Sequence, residues 1–483
     1  MTIRKFLFIL ATTASVLASC SKAEQEKETS RFTLSTTSVN APAEGGSYTV
    51  SFTSNSGWWA STQENWITLS AKQGGASEGS QSITVTVARN NDVARTGTVT
   101  FQSGSAEAKV SVSQATGISA DGIKTLTITE FIAEKDNTET WFRLSGDVIS
   151  ISSYTYGDLY MKDDTGFIYV YGLAPEKGGS NSDFSKTGLV AGDKITIVAH
   201  RKTYNGVNET DGAYLEKKTA GTYPGSSSKT ASAKWLELPA TASSSSDMVF
   251  LTHRSENGKR NYSIYYNKAE RVARWICYAY VSGQGGTGRN NDPYAFDPLV
   301  DQNDQPNLSK SYTETSRKIG GYEYVRGHML PSNDRSGREN YDVFLATNIM
   351  PQSSSLNSGM WSNLETKKIH SSWAAKCDTV YVVTGTDTKT SLGKVKDIDG
   401  KEVVVPSGIY KVVLAHTKQG EYKALGAYFD NTSNPGDEFT KAYAMSVDDL
   451  EKKVGEDFFV NLSSEVQTSV EAAKPADDDW WWN

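Results

Sequence analysis

Short runs in which apolar and polar residues alternate recur through the first half of the chain. The alternation is plain at residues 83–87, 99–101 and 110–112, with turn residues between the runs. Successive side chains of a strand point to opposite faces, so this period of two predicts strands with one buried face. Short strands at this spacing indicate a β-sandwich. The full length of 483 residues exceeds one ordinary core, so we expect two or three domains.

The composition excludes several classes of protein. Hydrophobic residues make up 37% of the chain and charged residues 22%, which favours folded domains over disorder. Three cysteines are too few for a disulfide-rich scaffold or a four-cysteine zinc site. A net charge of -7 argues against a passive nucleic-acid coat, but an enzyme could still handle phosphates through a few local cations.

The N-terminus has the pattern of a secretory signal. Arg4 and Lys5 precede an apolar run at residues 6–17, which small residues then follow. The run is shorter than the ~20 residues that a membrane-spanning helix needs. We therefore assign residues 1–19 to a signal peptide and residues 20–30 to a polar tether.

The end of the signal resembles the bacterial lipoprotein box, in the sequence Leu17-Ala18-Ser19-Cys20. The resemblance implies that Cys20 is lipidated and anchors the chain to a membrane. The chain is then expected to be a cell-envelope lipoprotein, at the outer membrane or the cell surface. A plain signal peptide cut nearby is the alternative, and the face of the membrane stays open.

Residues 31–115 resemble a BACON domain. The resemblance rests on Trp59, Trp66-Ile67-Thr68, Ala88-Arg89-Asn90, Arg95-Thr96 and Val112-Ser113-Gln114. It implies an all-β sandwich, and such domains are often called carbohydrate-binding. Exposed tryptophans could stack on a glycan, but we expect Trp59 and Trp66 to lie in the core of a spacer.

Residues 119–223 resemble a small OB-fold barrel. A strand-like run ends at the turn Asp163-Asp164-Thr165-Gly166, another follows at once, and a third begins near residue 192. OB-folds often bind nucleic acid or sugar through aromatic stacking and a cationic groove. The side chains available for this are Tyr154, Tyr156, Tyr160, Tyr169, Tyr171, Arg201 and Lys202. Core filling explains the tyrosines equally well. Ser- and Ala-rich residues 224–246 are interpreted as a linker.

One histidine of the C-terminal block lies in a context that suggests catalysis. His328 follows Arg326 and Gly327, and Pro331 comes soon after. Glycine permits close backbone approach, and proline ends regular strand pairing. The neighbouring arginine disfavours the imidazolium, so His328 could serve as a neutral base near an anionic substrate. The motif alone is weak, and His253, His370 and His416 are expected to be structural.

A helix is predicted downstream of this histidine. Apolar residues recur at helical spacing between residues 359 and 376, and Asn357 stands where a cap would open the helix. Glu365 lies two turns further on, so both side chains can lean to one side. An amide oxygen and a carboxylate suit a hydrated Mg²⁺ ion. An ordinary helix cap is the alternative role of Asn357.

Residues 247–465 resemble the DNA/RNA non-specific endonucleases, the ββα-metal or His-Me finger nucleases. The spacing from Asn348 through Pro351-Gln352 to Asn357, Trp361 and Glu365 fits the family without gaps. Supporting matches are His253 and residues 261–263, 275–278, 383–385, 405–406 and 410–413. The resemblance implies an α+β ββα-metal fold. One departure is Val325, because the family usually has Asp before Arg-Gly-His.

The resemblance also implies a role for each matching residue. His328 corresponds to the general base and Asn357 to the direct ligand of a hydrated Mg²⁺, with Mn²⁺ as a substitute ion. Glu365 corresponds to the carboxylate that orients metal-bound water. The remaining matches are Asn348, which supports the site, Arg326, which contacts phosphate or steadies the loop, and Arg289, which stabilises the transition state. The alignment of Arg289 is loose, because Asp297-Pro298 offers a competing register.

These observations together predict a lipid-anchored, metal-dependent endonuclease that cuts DNA and RNA without sequence specificity. The alternative is a surface lipoprotein that binds glycan or nucleic acid and carries an inactive nuclease-like domain. A cationic patch is expected from Arg289, Arg326, Arg335 and Arg338. Pairing of Cys277 with Cys377 stays open, as does the oligomeric state. Residues 466–483, with three acidic residues before three tryptophans, are interpreted as a disordered tail, with a docking signal as the alternative.

Overall fold

The computed structural model describes residues 30–90, 92–117, 121–228, 231–240, 245–286, 293–432 and 436–483. The described chain divides into two compact units, with the boundary along the chain near residue 117. The predicted signal peptide, Cys20 and Arg289 lie outside the described residues. Within the described ranges, no helix has both the length and the apolar character to cross a membrane.

The first unit is the predicted β-sandwich. Its alternating strands turn Val99 and Phe101 fully inward, and Trp58 and Trp66 are buried beside them. Trp59 points the other way and is 46% exposed, so the expectation that it lies in the core is wrong. One sheet contains, in spatial order, Phe32–Leu34, Gly46–Ser54, Ser77–Val87 and Ile67–Leu69. The other contains Ser38–Ala41, Ala106–Gln114, Arg95–Ser103, Trp58–Ser61 and Gln73–Gly74.

The second unit begins with a closed five-stranded barrel, as the OB-fold resemblance implies. Its strands follow the order Asn137–Ser153, Asp158–Lys162, Phe167–Val170, Val207–Thr219 and Lys194–Tyr204, and the last pairs back with the first. The third and fifth strands along the chain pair in parallel, as in an OB-fold, and the short strand Lys124–Thr125 flanks the first. Helix Ile128–Ala133 closes one end, and its N-terminus is fixed by a capping box between Thr127 and Glu130. A 3₁₀ turn covers Asn181–Thr187.

The C-terminal body of the second unit is built on an eight-stranded antiparallel sheet. Its strands are, in spatial order, Gly225–Ser228, Met248–Arg254, Arg260–Asn267, Val272–Tyr280, Cys377–Lys396, Glu402–Thr417, Tyr422–Asp430 and Ala444–Met445. The first of these strands lies inside the predicted linker, which is therefore structured at residues 225–228. A smaller sheet holds Lys318–Ile319, Tyr322–His328 and Ile349–Ser353.

The C-terminal body also contains one long helix and several short ones. A helix with a kink at Gly359, which we call the site helix, spans residues 354–376 as the segments Ser354–Leu356, Asn357–Trp361, Leu364–Trp373 and Ala374–Lys376. The other α-helices are Gly337–Asp342, Val447–Val454 and Ser464–Ala472. Short 3₁₀ turns are found at Gln302–Asp304, Ser332–Asp334, Ala346–Asn348, Lys441–Tyr443, Pro475–Asp477 and Asp479–Trp481.

Aromatic packing joins the barrel to the C-terminal body. The ring of Tyr341 lies 5.2 Å from that of Tyr160 and 4.8 Å from that of Phe167, measured between centroids. The backbone N–H of Phe296 donates to the carbonyl of Ile151 at 3.2 Å. Burial of this aromatic cluster removes apolar area from water, which fixes the barrel against the body that carries His328.

The C-terminal tail is packed rather than disordered, so that prediction is wrong. Trp481 is 1% exposed, and its ring lies edge-on to Trp373 at 4.7 Å. The indole N–H of Trp373 donates to the Trp481 carbonyl at 3.0 Å. Lys423 pairs with Asp478 at 2.8 Å, so an acidic residue of the tail also has a partner. The tail thus covers the C-terminal half of the site helix.

Trp481→Ala should destabilise the second unit by about 3–5 kcal/mol, because it leaves a cavity against Trp373. Trp480→Ala is the matched control, since Trp480 is only half-buried and should cost less. Urea unfolding followed by tryptophan fluorescence measures both free energies. Equal effects of the two substitutions would contradict the packing of Trp481 against Trp373.

Candidate functional site

His328 is the last residue of the strand Tyr322–His328. It stands opposite Ile349 in the neighbouring antiparallel strand and is 7% exposed. The edge of its ring meets Phe344 at 4.9 Å, and the ring of Tyr294 lies 5.7 Å away. The imidazole is therefore held between two aromatic rings at the end of a short sheet.

Close approach across this sheet explains the glycine before His328. A Cβ atom on Gly327 would lie 2.3 Å from the side-chain oxygen of Gln352 and 2.6 Å from its Cβ. Real Cβ atoms do not approach other heavy atoms this closely, so a larger residue would push the two strands apart. The glycine is needed for packing, and it brings Gln352 beneath the strand that carries the histidine.

Val325, the departure from the family pattern, stands opposite this same Gln352. Neither polar atom of the buried Gln352 amide has a hydrogen-bond partner within the described ranges. A valine side chain can neither accept nor donate a hydrogen bond. Val325 therefore does not satisfy the Gln352 amide, and His328 keeps its position at the end of the strand.

Asn348 supports the loop that follows His328. Its amide oxygen accepts from the Leu330 N–H at 2.9 Å, and its amide nitrogen donates to the carbonyls of Leu330 at 3.0 Å and Val343 at 2.6 Å. The side chain is fully buried. All three contacts are to backbone, so Asn348 fixes the chain next to the histidine and does not face a substrate.

Asn357 lies inside the site helix, so its expected position as a helix cap is wrong. The helix begins at Ser354, and Asn357 has helical torsions of φ -60° and ψ -45°. Gly359 departs from helical torsions, at φ -96° and ψ -116°, and the surrounding turns are π-helical. The Asn357 side chain is half-buried. Its amide oxygen therefore does not cap the helix and can serve as a metal ligand.

Glu365 and Lys411 form a buried ion pair next to the loop that follows His328. The Lys411 ammonium lies 3.0 Å from the Glu365 carboxylate and donates to the Thr384 hydroxyl at 2.8 Å. It also donates to the carbonyl of Met329, the residue after His328, at 3.4 Å. Burial raises the pKa of Glu365 to about 7, although the charge of Lys411 acts in the opposite direction. One ammonium group thus connects the histidine's loop to the site helix.

Sequence reasoning missed Lys411 as a functional residue. It was used only as part of a matching stretch, yet it is fully buried, and its ammonium lies 4.4 Å from the centre of the Trp361 ring. The available signal was a lone lysine within the apolar run at residues 409–415. A charge in such a run is rarely buried without a partner, which points to an acidic residue elsewhere.

A second buried acid lies near Glu365. Asp334 is 1% exposed and forms an ion pair with His370 of the site helix. The His370 ring stacks on Tyr280 at 4.5 Å with an interplanar angle of 5°. The charge of Asp334 contributes to the raised pKa of Glu365. His370 therefore anchors the helix, in agreement with a structural role.

Two of the four arginines of the expected cationic patch have internal partners. Arg335 is 2% exposed, and its guanidinium donates to Asn261 at 2.6 Å and to nearby carbonyls. Arg338 pairs with Asp342 at 2.5 Å. Arg289 lies outside the described residues. The prediction is therefore wrong for Arg335 and Arg338.

Arg326 is the remaining arginine of the expected patch, and it is half-buried. Its guanidinium carbon lies 3.8 Å above the Tyr294 ring, and it donates to the Leu308 carbonyl at 2.8 Å. Both contacts steady the loops beside His328, which was one of the two roles expected of this residue.

Two other groups with potential chemistry lie elsewhere. Cys277 and Cys377 are both buried free thiols, so they do not pair with each other. Among the described residues, a close group of three carboxylates, Asp448, Glu451 and Glu471, lies on helices Val447–Val454 and Ser464–Ala472. These carboxylates are not the residues predicted to hold a metal.

Comparison with known families agrees with this geometry. The model of the DNA/RNA non-specific endonuclease family matches residues 246–465, and the BACON model, a putative N-terminal binding domain, matches residues 33–115. The class defined by the C-terminal body is thus that of the nucleases. Residues 246–465 are a DNA/RNA non-specific endonuclease domain, and residues 33–115 are a BACON domain.

Curated nucleases are similar over this same part of the chain. A nuclease of Nostoc sp. is 29% identical over 225 residues, which is 44% of this chain and 76% of that protein. The mitochondrial nuclease EXOG of Xenopus laevis is 28% identical, with 42% of this chain and 57% of that protein covered. A nuclease of Serratia marcescens is 25% identical, with 44% and 77% covered. Each alignment spans less than half of this chain.

Lys411→Met should destabilise the second unit by about 3–5 kcal/mol, because the Glu365 carboxylate is left buried without a counter-charge. Adding Glu365→Gln should recover much of that loss. Lys394→Met is the matched control, since Lys394 pairs with Glu402 at the surface and its loss should destabilise the unit far less. Urea unfolding measures the wild type, Lys411→Met, Glu365→Gln, the double variant and Lys394→Met. Additive losses in the double variant would show that the two groups do not interact.

Proposed function

We propose that the second unit hydrolyses phosphodiester bonds of DNA and RNA without sequence specificity, as a metal-dependent endonuclease. The observation that carries the proposal is the bridge from the Met329 carbonyl through Lys411 to Glu365. It fixes the loop of His328 to the helix of Asn357 and Glu365. The endonuclease domain assigned to residues 246–465 supports the same activity.

His328 acts as the general base in this proposal. A neutral imidazole takes a proton from a water molecule that attacks the phosphorus in line with the leaving 3′ oxygen. General-base catalysis of this kind contributes about 10²–10⁴-fold. The aromatic rings of Phe344 and Tyr294 restrict the imidazole, so its orientation is set before substrate arrives.

Asn357 would hold a divalent ion, and Glu365 would accept hydrogen bonds from its water ligands. The donors are oxygens of an amide and a carboxylate, the type that Mg²⁺ prefers, with Mn²⁺ as a substitute. A bound ion supplies positive charge to the phosphate oxygens and the departing alkoxide. Lys411 keeps the buried Glu365 carboxylate in position, and Asn348 keeps the loop of His328 in position. Arg326, beside Tyr294, is available to a phosphate.

The low specificity follows from what these residues contact. None of the assigned roles reads the edge of a base, and contacts confined to phosphate carry no direct sequence information. The nucleophile is water, so the reaction does not need a 2′ hydroxyl group. DNA and RNA are therefore both substrates in this proposal.

The N-terminal sequence supports a further part of the proposal, namely a cell-envelope lipoprotein anchored through Cys20 at the outer membrane or cell surface. In this arrangement the first unit serves as a spacer between the anchor and the enzyme. Trp59, which is 46% exposed, also favours a second candidate function, glycan contact by the BACON domain. In that second candidate the nuclease-like domain is inactive.

His328→Ala should lower the cleavage of plasmid DNA and of RNA by at least about 10²-fold in the presence of Mg²⁺. EDTA should abolish cleavage by the wild type. His416→Ala is the matched control, because His416 is partly exposed on the strand Glu402–Thr417 and should retain wild-type rates. Undiminished cleavage by His328→Ala would exclude this base. Absence of wild-type cleavage with every divalent metal, together with glycan binding, would favour the second candidate.

Cys20→Ala should abolish incorporation of radiolabelled palmitate and move the protein from the membrane fraction to the soluble fraction of the envelope. Ser21→Ala is the control and should behave as the wild type. Fractionation followed by immunoblotting measures the shift. Unchanged labelling of Cys20→Ala would remove the anchor from the proposal.

A further inference from the structure

A cleft of about 550 Å³ lies in the second unit, between the barrel and the C-terminal body. Its barrel side includes Tyr156, Tyr169, Tyr171, Tyr204 and Glu209, and its other side includes Tyr294, Asn307 and Lys310. Tyrosine is therefore the dominant side chain of the cleft. The two walls are held together by the contacts of Tyr341 with Tyr160 and Phe167.

Three of these tyrosines are exposed to an unusual extent. Tyr156 is 56% exposed, Tyr171 is 49% exposed and Tyr204 is 58% exposed. Core filling was the alternative role for the barrel's tyrosines, and it does not apply to these three. Large aromatic side chains left open at a concave surface mark a binding site, because their burial on binding is favourable.

The aromatic surface continues beyond the cleft at one end. Tyr171 also lines a neighbouring cleft of about 600 Å³, together with Trp141 and Tyr214. The ring of Trp141 lies 3.7 Å from that of His200. Two clefts that share one tyrosine make a continuous surface across the barrel, which suits a chain of repeated flat groups better than one small molecule.

One lining residue of the cleft contacts the candidate active site. Tyr294 lines the cleft, carries the Arg326 guanidinium above its ring at 3.8 Å and lies 5.7 Å from the His328 ring. A polymer lying in the cleft would therefore be one buried ring away from the proposed general base. This proximity favours the substrate of that base as the occupant.

The charges of the cleft distinguish bases from phosphates. Asp158, Glu209 and Asp399 line it, so a phosphate buried among them would be repelled. Carboxylates instead accept hydrogen bonds from the amino groups of bases. Lys202 lies 5.9 Å from the centres of both the Tyr171 and Tyr204 rings, but its ammonium pairs with Asp211 at 3.1 Å, so the charges of the cleft favour bases over phosphates.

We propose that this cleft binds the unpaired bases of a polynucleotide strand, stacked on Tyr156, Tyr171 and Tyr204, and leads that strand to His328. The inference rests on the proposed function and adds a preference for single-stranded segments. Bases within a duplex are stacked on one another and paired, so they cannot enter the cleft.

The test is equilibrium binding of a fluorescent 12-nucleotide DNA, as a single strand and as a duplex, to the full chain in EDTA. The wild type should bind the single strand more tightly than the duplex. Combined substitution of Tyr156, Tyr171 and Tyr204 by Ala should weaken single-strand binding by at least about tenfold and leave duplex binding unchanged. Combined substitution by Phe, which keeps the rings, should retain wild-type binding. Trp59→Ala removes an exposed aromatic ring from the first unit and should have no effect.

Several outcomes would overturn the inference. These are unchanged single-strand binding by the triple alanine variant, equal losses for single strand and duplex, or tyrosine-dependent binding of a neutral polysaccharide in place of the oligonucleotide. Cleavage of plasmid DNA by the wild type with Mg²⁺ is measured in parallel. If the wild type bound the single strand through the tyrosines but did not cleave DNA, the proposed function would fail. If it cleaved DNA but showed no tyrosine-dependent binding, the proposed role of the cleft would fail.

Discussion

The arrangement of the site depends on one buried ammonium group. Removal of a lysine and a glutamate from water costs several kcal/mol each, and their attraction repays this only when the remaining polar positions are also satisfied. Lys411 meets that condition, because it reaches Glu365, the Thr384 hydroxyl and the Met329 carbonyl, and its charge lies over the Trp361 ring. These contacts join the central sheet, the loop of His328 and the site helix.

The site helix is also restrained at its other end. Trp481 covers Trp373, and His370 pairs with Asp334, so the helix has two fixed contacts after Glu365. Asn348 restrains the loop after His328 through hydrogen bonds to backbone alone. The site helix and the loop of His328 are thus positioned by different buried contacts. A site built in this way has little freedom to rearrange when a substrate binds.

Much of this was predictable because local patterns report local geometry. The period of two at residues 83–87 and 99–101 predicted the sandwich, and the apolar spacing between residues 359 and 376 predicted the helix that carries Glu365. Other features depend on partners distant in the chain. The sequence did not reveal that Arg335 is buried against Asn261, or that the tail returns to Trp373. A charged or aromatic residue has the same appearance in a sequence whether it meets solvent or a remote strand.

The internal pairing of Arg335 and Arg338 bears on how an acidic protein could bind a polyanion. With a net charge of -7 and with Arg335 and Arg338 paired internally, attraction through surface charge is weak. Stacking of bases needs no net positive charge, because every base has an aromatic face. The exposed tyrosines in the cleft that Tyr294 also lines therefore supply an interaction that the charges do not, and Arg326 places one cation above the Tyr294 ring. Binding through bases and catalysis at phosphate can then be carried by two separate sets of residues.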